Sequence, residues 1–157
     1  MAAQRAGLRV IPYTINTPAQ VRAARRARVD GLITDDPLMA AKTLGLRPAR
    51  ALNAKLSRHP GRVEARGRLR LPAGVSRRAG CKGRVTLRVL GAKRALGSRR
   101  AALRSDCSYS LRLTVPRGAP AELLATVGFG GNSKLLPRLA GPRSVPPEVP
   151  RAVPHSL

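Results

Sequence analysis

From Arg62 to Leu71, charged and apolar side chains alternate without a break. Arg62, Glu64, Arg66, Arg68 and Arg70 interleave with Val63, Ala65, Gly67, Leu69 and Leu71. A period of two puts one set on each face of a strand, so one face is buried and the other is wet. The pattern recurs. Val85, Leu87 and Val89 alternate with Arg84, Thr86 and Arg88, and a turn around Gly91-Ala92-Lys93-Arg94 leads to a weaker strand through Ala101 and Leu103. Cys107, Tyr109, Leu111, Leu113 and Val115 form another inward row, Pro116-Arg117-Gly118 turns the chain, and Leu123, Ala125, Val127 and Phe129 close the set. Five or more short strands separated by turns predict an antiparallel sandwich of immunoglobulin-like size over 62–137. Composition limits its core. Apolar residues make up 43%, but 24 of them are Ala, and Tyr13, Tyr109 and Phe129 are the only aromatic residues. That favours a small sheet domain over one large filled core.

The residues before this region follow a different period. Leu8, Val10 and Ile11 make a short apolar run ending at Tyr13-Thr14-Ile15-Asn16. Thr17-Pro18 then reads as a helix start, with Thr at the cap and Pro in the first turn. Val21, Ala24 and Ala27 mark the apolar side of a helix to about Arg28. Val29 to Asp35 reads as a second strand, and Asp36-Pro37 starts another helix that stops at Gly45. Strand, helix, strand, helix is the βα unit of a parallel sheet. Residues 47–61, with Pro48, Asn53, Ser57, His59, Pro60 and Gly61, read as a linker. Residues 138–157, with Pro142, Pro146, Pro147, Pro150 and Pro154, read as an extended or disordered tail. The expected class is therefore α+β, with 1–46, the linker 47–61, the sandwich 62–137 and the tail in that order.

Charge is the second strong feature. Thirty-one Lys and Arg against seven Asp and Glu give +24. Residues 1–45 hold 7 basic and 3 acidic side chains, so the remaining 24 and 4 place +20 on residues 46–157. Such an excess attracts nucleic acid, anionic lipid or acidic polymers. Twenty-six of the basic residues are Arg, alongside abundant Ala, Gly and Pro, a bias that a GC-rich genome also produces. No aromatic side chains interleave with the Arg to stack on bases, which argues against specific nucleic-acid binding. The outer strand faces at Arg66, Arg68, Arg70, Arg84 and Arg88 remain as a candidate surface for an anionic cell-wall polymer or a lipid surface, or as ordinary solvated faces.

Cys81 shares the parity of Val85 and Leu87, and Cys107 that of Tyr109 and Leu111. Both point inward if their strands are regular, so a bridge between them is expected, the alternative being two buried free thiols. A bridge implies an oxidising compartment, although Met1 to Val10 has no hydrophobic segment of signal-peptide type. Two Cys and two His, none at ligand spacing, leave no metal cluster in the sequence.

The segment Val10-Ile11-Pro12-Tyr13-Thr14-Ile15-Asn16, followed by Val29-Asp30-Gly31-Leu32-Ile33-Thr34-Asp35-Asp36-Pro37, resembles the end of the glycerophosphodiester phosphodiesterase family. That family has an aromatic-Thr-x-Asn sequence and then Val-Asp-Gly-x-x-Thr-Asp-x-Pro. Tyr13 stands where the family usually has Trp, and Arg28 where a Gly is common. The resemblance implies the last two βα units of a (β/α)8 barrel, with Tyr13 as a pocket wall and Asn16 and Asp35 holding the rim. It also implies, for a complete member, a divalent cation (Ca²⁺ or Mg²⁺), an early His-Arg-Gly and a second His for acid/base chemistry. Here the histidines are His59 and His155, and Asp30, Asp35 and Asp36 are too few and wrongly placed for the metal site. The expectation is the C-terminal portion of an extracellular or cell-surface member. The chain itself is expected to have no catalytic residue and no cofactor. A glycerophosphodiester would be its substrate only in a completed barrel.

A second, looser resemblance covers 62–137. Gly80-Cys81-Lys82-Gly83-Arg84-Val85-Thr86-Leu87, Asp106-Cys107-Ser108-Tyr109 and Phe129-Gly130-Gly131-Asn132 are similar to sandwich modules appended to secreted actinobacterial proteins. Such modules share no single activity, so the alternative function is a basic binding module.

Overall fold

In the computed structural model, which describes residues 2–145 apart from 93 and 117, the chain divides into two units, Met1–Arg47 and Pro48–Leu157. The first unit holds helices α1 (Ala2–Arg5), α2 (Pro18–Arg26) and α3 (Pro37–Thr43). Thr17 caps α2 through a capping box. Its Oγ1 accepts from the Gln20 N–H at 3.3 Å, and the Gln20 side-chain oxygen accepts from the Thr17 N–H at 3.0 Å. Asp36 caps α3 by accepting from the Met39 N–H at 2.8 Å, and Gly45, at φ +69°, ends it. Val21, Ala24 and Ala40 are the buried residues of these helices.

The two strands expected in this unit do not form as strands. Residues 8–15 and 29–34 run beside one another, joined by Asp30 N–H to Val10 O, Ile33 N–H to Pro12 O and Ile15 N–H to Ile33 O. Pro12 has no N–H to donate, so the ladder is interrupted at its middle. The Asp30 carboxylate, not a backbone carbonyl, takes the Val10 N–H at 2.9 Å. The partial barrel expected from sequence is therefore a pair of extended segments with two capped helices.

The second unit is a sandwich of two antiparallel sheets. Its strands are β1 (Ala51–His59), β2 (Arg62–Arg70), β3 (Arg84–Gly91), β4 (Arg94–Ala102), β5 (Ser108–Thr114), β6 (Leu123–Phe129) and β7 (Arg138–Val145). One sheet has the order β1-β2-β5 and the other β4-β3-β6-β7. A short helix, α4 (Arg77–Gly80), lies between β2 and β3. Val63, Ala65, Leu69, Tyr109 and Leu111 from the first sheet meet Val85, Leu87, Val89, Val127 and Phe129 from the second in one buried cluster.

Two sequence expectations are corrected here. The linker 47–61 is largely β1. It pairs with β2 through a hairpin at Pro60-Gly61, where Gly61 takes φ +68°. The inward row Leu52, Ala54 and Leu56 ends on Arg58, whose guanidinium donates to the carbonyls of Ala119, Pro120 and Ala121, so a charge occupies an inward position. The expected tail begins with β7, at the edge of the larger sheet. Its register against β6 shifts between Ala125 and Val127, facing Gly141 and Pro142, and an edge bulge is where a sheet tolerates Pro. The rest of that expected tail, 146–157 with His155, lies outside the described residues.

Cys81 and Cys107 are bonded to each other and buried, with Cα atoms 4.6 Å apart. Strand parity is only part of the reason. Cys81 sits just after α4, before β3 begins, and Cys107 has φ +65° in the turn before β5. Asn132 locks the same corner. Its side chain donates to the carbonyls of Gly80 and Lys82 at 3.1 and 2.8 Å and accepts from the N–H groups of Lys134 and Leu135.

Candidate functional site

The residues singled out in the first unit divide into two groups. Asn16 and Asp35 are brought together. The Asn16 amide donates to the Asp35 carboxylate at 2.6 Å, and its carbonyl oxygen accepts from the Asp35 N–H at 3.0 Å and from the Thr34 hydroxyl at 3.3 Å. Thr34 in turn accepts from the Asp36 N–H at 3.1 Å. The ends of the two extended segments are thus clipped by the Asn16 side chain, through both side chains and backbone, just before the α2 and α3 caps. Tyr13 takes no part and is 81% exposed.

The carboxylates of this unit are all engaged. Asp30 accepts from the Val10 N–H and the Gln4 amide, which hold it below the usual carboxylate range. Asp35 is tied to Asn16, and Asp36 to Met39. Among the described residues, no three His, Cys, Asp or Glu side chains gather as metal ligands.

In the second unit the outer face of the β1-β2-β5 sheet is basic, as the alternation predicts, with one exception. Glu64 sits in the outward row yet is buried, with Arg62, Arg66 and Arg112 around it at 3.2, 3.1 and 3.3 Å. Burial pushes its carboxyl up, but Arg112, Arg62 and Arg66 outweigh that, and the net direction is down. Arg68 pairs with Asp106 at 3.0 Å. Asp106 also accepts from the Ser108 hydroxyl and N–H, at 2.7 and 2.9 Å, and Ser108 is the main reason its pKa falls to about 2.

At one end of this sheet lies an open groove of about 760 Å³, lined by Arg50, Asn53, Arg68, Arg70, Arg77 and Asp106 among others. Of the Arg residues named from sequence, Arg68 and Arg70 belong to this groove, and Arg66 lies on the same sheet face. Arg84 and Arg88 stand on the other sheet. Arg50 and Arg77 escape the sequence reading because they lie on a turn and the short helix, where no periodicity marks them, and Asp106 enters it only within a resemblance motif, not as a candidate site.

Residues 1–39 match the model of the family described as the glycerophosphoryl diester phosphodiesterase family, about a quarter of the chain. The first unit thus contains a segment related to that family, and the Asn16–Asp35 clip lies inside it. No curated protein matches the chain significantly. Among solved structures, a DUF3823 family protein from Bacteroides ovatus ATCC 8483 is similar at 14% identity and a TM-score of 0.44, over 60% of this chain. The chain spans about half the length of that structure.

Proposed function

We propose that residues 1–46 form the closing segment of a glycerophosphodiester phosphodiesterase-like barrel, in a protein that hydrolyses glycerophosphodiesters to glycerol 3-phosphate and an alcohol. The observation that carries this reading is the clip of Asn16 to Thr34 and Asp35, which joins the two motifs within the stretch matching the family. Tyr13, exposed and adjacent, is the wall of the substrate pocket, and Asn16 and Asp35 hold its rim. The divalent cation and the proton-transferring His belong to barrel strands outside these 157 residues, so this chain by itself turns over no substrate. The Cys81–Cys107 bridge supports a secreted or cell-surface setting, with the sandwich as an appended immunoglobulin-like module.

Grafting tests it directly. Residues 1–46 replace the corresponding closing segment of an active family member, and metal-dependent hydrolysis of a glycerophosphodiester is measured. An active graft is expected. In it, Asn16→Ala lowers kcat/KM by loosening the rim, and Tyr13→Ala raises KM with little change in kcat. A graft that folds with no activity overturns the assignment. Metal-dependent turnover by the 157-residue chain alone overturns the claim that the reaction centre lies elsewhere.

A further inference from the structure

We propose that the groove at the end of the β1-β2-β5 sheet is a binding site for a linear, phosphate-bearing polyanion, independent of any phosphodiesterase chemistry in the first unit. Among the described residues, the cations lining it are Arg50, Arg68, Arg70 and Arg77, all with the planar fork that matches phosphate oxygens two at a time. Arg68 and Arg70 are two residues apart on β2, which sets their stems about 6.6 Å apart along one face. Arg50 stands beside Arg70, its N–H bonded to the Arg70 carbonyl at 2.9 Å, and Arg77, the first residue of α4, also lines the groove.

Arg50, Arg70 and Arg77 are exposed and have no carboxylate partner among the described residues. Arg68 is held at a fixed place by Asp106, which Ser108 anchors. The Cys81–Cys107 bridge lies at the same corner, with Cys107 in the groove lining. The cations are therefore presented on a rigid frame, which lowers the ordering cost of binding.

The neighbouring surfaces narrow the ligand. Among the described residues, no aromatic side chain lines the groove, which leaves bases and sugar rings without a stacking platform there. The large exposed leucines of the sandwich, Leu90, Leu124 and Leu139, lie on the other sheet, and the larger apolar side chains lining the groove, Leu71, Pro72 and Val75, are half-buried, which gives a lipid layer little to take up on this face. What remains is a row of phosphates read by charge and by the guanidinium fork.

The test uses the full chain and inorganic polyphosphate, titrated across a salt series around 0.15 M, where exposed charges separated by more than about 8 Å are screened. Arg70→Glu with Arg77→Glu is expected to weaken binding about tenfold or more and to lower the salt slope by about two, one per phosphate contact. Arg84→Glu with Arg88→Glu changes the net charge equally, on the other sheet, and is expected to change affinity less than about threefold if the contacts are local. Equal losses from both pairs overturn the site in favour of diffuse attraction. Orthophosphate competing as well as polyphosphate at equal phosphate concentration overturns the polymer. Tighter binding to phosphatidylglycerol vesicles than to polyphosphate, lost in the Arg70/Arg77 pair, overturns it in favour of a membrane. If the charge-reversed pair loses its thermal transition, Gln at the same two pairs of positions makes the same comparison.

Discussion

Among the described residues, the unit Met1–Arg47 buries Val21, Ala24 and Ala40, whereas the sandwich buries 21 residues in one cluster and adds a disulfide. The first unit also exposes Leu8, Ile11, Tyr13, Ile33 and Leu38. Its helices are capped as well as any, but caps and turns stabilise a helix only by about 1 kcal/mol each. Burial contributes about 25 cal/mol per Å² of apolar surface, so a unit with three small buried side chains has little to oppose its chain entropy. Good local signals and a poor core therefore coexist in one half, and an Ala-rich but well-layered core holds the other. The largest expected consequence is in limited tryptic digestion. Residues 1–47 should be cut first at Arg22, Arg25 and Arg26, leaving the sandwich, β1 to β7, as the resistant part. Equal resistance of the two parts would break the comparison.

The next largest effect isolates the sandwich. The disulfide spans 26 residues and, on the loop-entropy model, contributes about 3.5 kcal/mol. Cys81→Ser with Cys107→Ser should lower the sandwich's denaturation free energy by about that amount and leave the digestion rate of the first unit unchanged. Loss of protection in both parts would mean that they unfold as one.

The way the two halves are written in the sequence explains what was legible. Strands β2, β3, β5 and β6 were legible because every second residue is an inward apolar or small one, each strand facing the core on one side only, even though Leu90 and Leu124 add outward apolar residues. β1 is hidden because Arg58 takes an inward place to bind carbonyls, and β7 because Pro142 and the bulge interrupt it while Leu139 points outward. Glu64 is the reverse case. Its parity predicts a wet side chain, and only the assembled sheet brings three guanidiniums over it. In the first unit the caps at Thr17 and Asp36 are readable from local residues. The absence of regular strands is not, because it depends on Pro12 standing where the neighbouring segment needs a donor. The Asn16–Asp35 clip was reachable only through the family resemblance, since nothing periodic joins positions 19 apart.

The ionisable groups sharpen the contrast at a smaller scale. Asp106 titrates at about 2 instead of 3.8, and Glu64 also below its ordinary value. A lowered folded pKa means that the stability is present above the unfolded pKa and lost as pH falls, for Asp106 between 3.8 and about 2. Glu64→Gln should flatten the acid limb of sandwich stability measured by denaturant midpoint. An unchanged limb would remove Glu64 from that role. Tyr109 behaves oppositely. Burial raises its phenol from 10.0 to about 12, so its contribution is full below 10 and lost as pH rises towards 12. Its hydroxyl donates to the Asn53 carbonyl at 2.6 Å, across Gly67, where a Cβ would run into that same carbonyl. Tyr109→Phe should cost about 1–3 kcal/mol at neutral pH, because the carbonyl loses its buried partner, and should abolish the alkaline decline. Persistence of that decline would point to another group.

The smallest effect probes the weak half. Thr17→Ala removes the hydroxyl that accepts from the Gln20 N–H, while Gln20 can still cover the Thr17 and Asn16 N–H groups at 3.0 Å. The expected loss is about 1 kcal/mol. In the sandwich a change of that size would pass almost unnoticed against the cluster around Phe129. In the first unit it is a large share of the whole. Where opening is fast relative to cleavage, digestion follows the open population, and 1 kcal/mol multiplies that population by about five. Tryptic cutting at Arg22 to Arg26 should therefore accelerate about fivefold in Thr17→Ala, with the sandwich fragment appearing at the same final yield. An unchanged rate would mean that α2 is held by something other than its cap, and the account of the first unit as locally ordered but poorly packed would have to give way.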